Sequence, residues 1–126
     1  MDKINLSKAT ADHVIWNVRL RCFLDGDECI TEKQAISQYD CTLGKWLYAE
    51  GMSKYRMVSE VQELERWHAD LHSTVRSVIQ MKELGRISDA EERLTRLKFI
   101  SEKIIFLIGI IEIKIKLDKK KVQNNE

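Results

Sequence analysis

Residues 58–79 read VSEVQELERWHADLHSTVRSVI. Val58, Val61, Leu64, Trp67, Leu71, Val75, Val78 and Ile79 recur mainly at steps of three and four, the period of a helix with one apolar face. The pattern predicts one long helix from about Ser53 to Leu84. Gly85 is placed as its stop, because glycine adopts the left-handed conformation that ends helices without a Cβ penalty.

Beyond Gly85, Ser88-Asp89-Ala90-Glu91 has the spacing of a capping box. It predicts a last helix from Asp89 to about Lys120, followed by a polar tail from about 119 that is expected to fray. Ile104 to Ile111 reads IIFLIGII, eight apolar residues in succession. A membrane-spanning helix needs roughly 20, and Lys98, Glu102, Lys103, Glu112, Lys114 and Lys116 flank the run closely. The run therefore predicts a buried core or interface helix without membrane insertion. Ile111 to Leu117 alternates apolar and polar residues, which is a strand signature. No turn signal precedes it and no strand partner is evident, so helix is the reading kept.

Upstream, Ser7 is placed as the cap of a first helix over Lys8–Leu24, ended by Asp25-Gly26-Asp27. Thr31-Glu32-Lys33-Gln34 fits another capping box and predicts a short helix or turn to about Gln38. Asp40-Cys41-Thr42 opens a further short helix that ends near Gly51. The chain lacks proline and holds only five glycines in 126 residues, the two residue types least compatible with helices. All-α follows as the fold class. Length, and the absence of any repeat or linker, predict a single domain over residues 1–126.

The formal net charge is +1, and no basic stripe is present. Nucleic-acid binding is excluded as an expectation. The lysines at 114, 116 and 119–121 read as a solvated face and tail. The polar start, Met1 to Asn5, has no secretory pattern, and three cysteines make an odd number. A disulfide framework is not expected. The reading is cytoplasmic, where a thiolate can serve as a metal ligand.

The chain has three histidines, at 13, 68 and 72. His68 and His72, four apart on the long helix, lie on one face a turn apart, so their rings can converge on one ion. Residue 69 is alanine where the helical zinc-protease motif has its glutamate base, so hydrolytic chemistry is not expected. Closed zinc sites take four nitrogen or sulfur ligands in a tetrahedron, so two more must come from elsewhere. Cys41 stands at a helix start, where free amides and the dipole favour its thiolate. His13 sits in His13-Val14-Ile15-Trp16, and Trp16 is placed to shield it from water.

These blocks resemble the chemoreceptor zinc-binding domain family (CZB). Its pattern is His-x-x-Trp, then Cys-x-Leu/Phe-Gly-x-Trp, then His-x-x-x-His. The chain reads His13-Val14-Ile15-Trp16, Cys41-Thr42-Leu43-Gly44-Lys45-Trp46 and His68-Ala69-Asp70-Leu71-His72, in that order. The resemblance implies a four-helix bundle with an additional short helix carrying the cysteine. It implies one Zn2+ held by His13, Cys41, His68 and His72, and a sensory role in chemotaxis or cyclic-di-GMP signalling, with oxidant sensing at the cysteine. Cys22 and Cys29 are read as ordinary thiols, and Trp46 and Trp67 as core. Four protein ligands leave no open position for catalytic water, so no enzyme is expected. A structural zinc staple is the alternative function. A di-iron bundle would need more His and carboxylate ligands than three histidines supply. Ile104, Leu107, Ile108 and Ile111 form an apolar stripe that Ile105, Phe106 and Ile110 widen beyond one face. A helix apolar nearly all round needs cover on more than one side, and a homodimer is the predicted cover. A signalling protein is a further expected partner.

Overall fold

The computed structural model describes residues 6–27 and 41–124, and these are helical apart from short turns. The helices are α1 (Leu6–Asp25), α2 (Thr42–Trp46), α3 (Met52–Lys54), α4 (Ser59–Glu83) and α5 (Ile87–Asn124). A π-helical segment, Leu47–Gly51, joins α2 to α3 in one continuous helical run. No strand occurs among the described residues, and the alternating Ile111–Leu117 stretch lies inside α5. The expected helix at Thr31–Gln38, and Cys29, lie outside the described residues.

Both glycine stops behave as expected. Gly26 (φ 89°) and Gly85 (φ 76°) are left-handed. After α4, the Arg86 amide donates to the Met81 carbonyl at 2.8 Å and the Gly85 amide to Lys82 at 2.9 Å. After α1, the Asp27 amide reaches the Cys22 carbonyl at 2.8 Å and the Gly26 amide reaches Phe23 at 3.2 Å. Each pair is a Schellman motif, which satisfies carbonyls that a helix end leaves open. Lys82 Nζ also donates to the Phe23 carbonyl, placing a cation at the C-terminal end of α1.

The expected helix boundaries need four corrections. The long helix does not begin at Ser53. It is broken at Tyr55–Val58, where Tyr55 leaves helical geometry (φ −123°, ψ 20°) and Val58 is extended. The break lets Tyr55 stack on Trp46, with ring centroids 6.4 Å apart, and the Gln62 side chain holds the turn by donating to the Arg56 carbonyl at 2.7 Å. The last helix starts at Ile87, so Ser88 lies inside it and does not cap it; Asp89 pairs instead with Arg86 at 2.7 Å. The last helix runs on to Asn124, past its expected end at about Lys120. Ser7 is likewise inside α1, which includes Leu6.

α4 and α5 form an antiparallel pair. Asp70 bonds Arg96, Ser77 bonds Arg93 and Glu60 bonds Lys114, so the two helices run in opposite senses. Their shared seam is fully desolvated. Val61, Leu64, Val78 and Ile79 of α4 and Ile100 and Ile104 of α5 are each 0% exposed. α1 lies against α5 through Asn17–Ser101 and a bidentate Arg21–Glu91 pair at 2.6–2.7 Å. That pair holds the Glu91 carboxyl below its usual range and raises the Arg21 guanidinium. Leu43 and Leu47 close the remaining side of the core.

The stripe Ile104, Leu107, Ile108 and Ile111 is buried within the chain itself, in the seam with its own neighbours. Phe106, at 64% exposed, and Ile87, Phe99, Ile105, Ile113 and Leu117 are the exposed large apolar residues of α5. α1 likewise exposes Val14, Ile15 and Val18. The apolar surplus expected from the sequence is present, on the outer face.

Ile100→Ala should lower the unfolding free energy by about 2–5 kcal/mol, the range for an aliphatic truncation in a close-packed core. Phe106→Ser, measured at a concentration that keeps the chain monomeric, should change it by less than about 0.5 kcal/mol. Urea midpoints for the two variants check both values. Equal losses would mean that Phe106 is covered.

Candidate metal centre

Three helical elements converge on one buried point. His13 comes from the middle of α1, Cys41 from the residue that caps α2, and His68 and His72 from successive turns of α4. Each arrives for a local reason. The apolar stripe Leu64, Leu71, Val75 turns one face of α4 inward, and the two histidines share that face. Cys41 adopts extended geometry (φ −76°, ψ 163°), and its carbonyl already accepts the Lys45 amide at 2.9 Å. Its sulfur takes the place of a capping side chain, accepting the Gly44 amide at 3.3 Å. An N–H aimed at sulfur favours the anion, the form that binds metal.

The four candidate ligand atoms lie within 4.8 Å of one another. His68 Nε2 is 3.0 Å from His72 Nε2 and 3.1 Å from Cys41 Sγ. His13 packs edge-on, with ring centroids 5.4 Å from His68 and 6.1 Å from His72. A tetrahedral zinc with ordinary bond lengths separates its ligands by roughly 3.3 Å between nitrogens and 3.6 Å between nitrogen and sulfur. The observed separations bracket those values. One nitrogen lone pair facing both a second imidazole and a sulfur makes a poor hydrogen-bond arrangement and a good coordination sphere.

Burial sets the charge state. His68 is 0% exposed, and its pKa is pushed down to about 3, first by burial and then by His72 and His13. A neutral imidazole keeps a lone pair for a metal. The thiolate supplies negative charge, so a divalent cation is matched by one anion and three neutral donors.

All four residues singled out from the sequence are brought together. Cys22 is half-buried and stands outside the group. Trp16 is half-buried against the core with Arg19 over its ring at 4.7 Å, and Trp46 is buried. Trp67 is partly buried at the core margin, edge-on to Phe99 at 5.8 Å. The sequence reading missed two polar ties around the centre. Tyr48 donates to Glu65 at 3.0 Å, fastening the cysteine-bearing run to α4. Asn17, one turn after His13, donates to the His13 carbonyl at 3.3 Å and to Ser101 at 2.9 Å. The four-residue step from His13 was the available signal for Asn17. Gly51 has a packing role: a Cβ there would stand 3.1 Å from Trp46 Cζ3, so glycine allows the indole to lie across the π-helical segment.

The metal-free chain should lose stability as pH falls from about 6.5 toward 3. In that window the unfolded chain protonates His68 and the folded chain does not, so acid favours unfolding. Denaturant midpoints measured across that range check the slope, and His68→Gln should flatten it.

A family model described as the chemoreceptor zinc-binding domain, CZB, matches residues 13–79, slightly more than half of the chain. The match runs from His13 to Ile79 and spans the whole cluster. Comparison with curated proteins and with solved structures gives no significant match.

Proposed function

The chain belongs to the chemoreceptor zinc-binding domain family, and from that premise we propose that it is a sensory or regulatory zinc domain of bacterial signalling. One Zn2+ per chain is held by His13, Cys41, His68 and His72. The observation that carries this reading is the convergence of three histidines and one cysteine, from separate helical elements, within 4.8 Å. The surrounding architecture is a four-helix bundle in which a short helix delivers the cysteine, and residues 1–126 act as one domain. Four protein ligands leave no position for a reacting water, which supports a non-catalytic role.

Zinc binding joins α1, α2 and α4. Because binding and folding free energies are coupled, release of the metal loosens α1 and α2 against α4. Cys41 is the most oxidisable of the four ligands. A peroxide transfers one oxygen atom to the thiolate and leaves as water, and the resulting sulfenate is a poorer metal ligand. This makes oxidant-driven release a second input beside zinc concentration. The output is a chemotaxis or cyclic-di-GMP partner, reached through a homodimer that covers the exposed apolar residues of α1 and α5. No described helix is long and apolar enough to cross a membrane. The compartment proposed is the cytoplasm, where a reduced thiol is free to ligate metal.

The near-complete burial of His13 and His68 favours a second reading, a permanent zinc staple in an adaptor domain. Affinity separates the two. A sensor exchanges zinc within a physiological range, and a staple does not.

Metal analysis of the purified chain should give one zinc per chain. Cys41→Ala should retain the helical far-UV spectrum and lose or greatly weaken zinc in competition with a chelator of known affinity. Zinc content unaffected by Cys41→Ala would overturn the four-ligand assignment. Sedimentation at micromolar concentration should give a dimer, and a monomeric mass would remove the dimer from the proposal.

A further inference from the structure

Two buried side-chain atoms among the described residues have no hydrogen-bond partner: Asn17 Oδ1 and His68 Nδ1. They are chemically complementary. Asn17 Oδ1 is an acceptor. His68 turns Nε2 toward Cys41 and His72; with a metal on Nε2, the neutral ring carries its proton on Nδ1 and donates there. The Asn17 amide is held in one orientation, since Nδ2 donates to both the His13 carbonyl and Ser101 Oγ.

Both side chains border His13: Asn17 bonds its carbonyl, and the His68 ring meets its ring. Asn17 is fixed to Ser101 of α5, and Trp67, the residue before His68, packs on Phe99 two positions away along the same helix. His13, one turn from Asn17, meets the His68 ring edge-on at 5.4 Å. Ser101 is 4% exposed and Asn17 half-buried, with its Oδ1 atom out of solvent. A buried free donor and a buried free acceptor around one residue are the setting in which proteins retain an internal water. Histidines that ligate a metal almost always donate their second ring N–H to a partner, which fixes the ring and raises its basicity. The other partners common in that role, a carboxylate or a carbonyl, are absent from His68 Nδ1.

We propose that Asn17 is a positioning residue of the metal centre, acting through one buried water that bridges Asn17 Oδ1 and His68 Nδ1. The proposal rests on the zinc reading above and adds to it a residue outside the ligand set. Through Nδ2 the same side chain steadies the backbone of the His13 turn, so Asn17 supports two ligands on two helices at once.

The test compares the parent with Asn17→Leu, Asn17→Asp and Ser101→Ala in the full chain. The readouts are zinc affinity by chelator competition and the ring 15N and Nδ1–H resonances of His68. Asn17→Leu should weaken zinc about 10- to 100-fold, the range for lost outer-shell partners, and should displace the His68 Nδ1 resonance. Asn17→Asp keeps the acceptor and loses both donors, and should weaken zinc clearly less than Asn17→Leu. Ser101→Ala keeps Asn17 Oδ1 and should do the same. A folded Asn17→Leu with parental affinity and an unmoved His68 resonance overturns the proposal, as does Asn17→Asp as weak as Asn17→Leu. A parent that takes up no zinc overturns the reading of the centre itself, whereas an insensitive Asn17→Leu in a zinc-binding parent overturns only the role of Asn17. Should Asn17→Leu fail to fold, Asn17→Asp and a crystal structure of the zinc-loaded parent decide. Density for one water within about 3.2 Å of both atoms is expected, and its absence overturns the bridge.

Discussion

Three buried imidazoles and a half-buried thiol meet in one layer of a small helical protein, and the rest of the structure is arranged around that constraint. Polar groups removed from water are costly unless they find partners. Here the candidate partners are chiefly one another: His68 Nε2 faces both His72 Nε2 and Cys41 Sγ at 3.0–3.1 Å. A cation at the centre turns that mutual crowding of lone pairs into four bonds. The apolar seam supplies the rest. Val61 and Leu64 on one side of the layer and Val78 and Ile79 on the other keep α4 against α5 whatever the state of the centre.

This division of labour explains which parts of the sequence were legible. The α4 stripe and the four-residue step between His68 and His72 are local patterns, and both survive unchanged into the structure. So do Gly26 and Gly85, because a left-handed stop is a property of one residue. The break at Tyr55–Val58 was hidden by the same periodicity that revealed α4, since Tyr55, Val58 and Val61 continue the three-residue step across it. The capping-box spacing at Ser88–Glu91 misled by two residues, because Arg86 and Asp89 already serve that end.

Contacts set by the tertiary fold were not legible. Asn17 meets Ser101 across 84 positions of chain, and no spacing rule connects them. The joining of His13 and Cys41 to the α4 pair is equally non-local. It was read from a family resemblance, because helical periodicity fixes faces within an element and says nothing about which faces of separate elements meet. The apolar excess of α5 was visible in composition. Its assignment was not: Ile104, Leu107, Ile108 and Ile111 are the chain's own core, and residues such as Phe106, Ile113 and Leu117 remain outside.

The position of α5 relative to the centre limits how metal occupancy is communicated. α5 has no histidine or cysteine and adds no member to the ligand group, yet it carries the largest share of uncovered apolar surface. At 38 residues against 25 for α4, it is roughly 57 Å long against 38 Å. Lys114 already pairs with Glu60 at the start of α4, so the turns beyond it extend past the end of its neighbour. Any change at the centre therefore reaches α5 through the helices packed against it and not through a ligand of its own. The α4 seam is a broad, close-packed apolar contact and resists small displacements. The α1 contact is narrower and polar, made by Asn17–Ser101 and Arg21–Glu91. Since α1 carries a single ligand, it is the element whose register against α5 depends most directly on His13 being held.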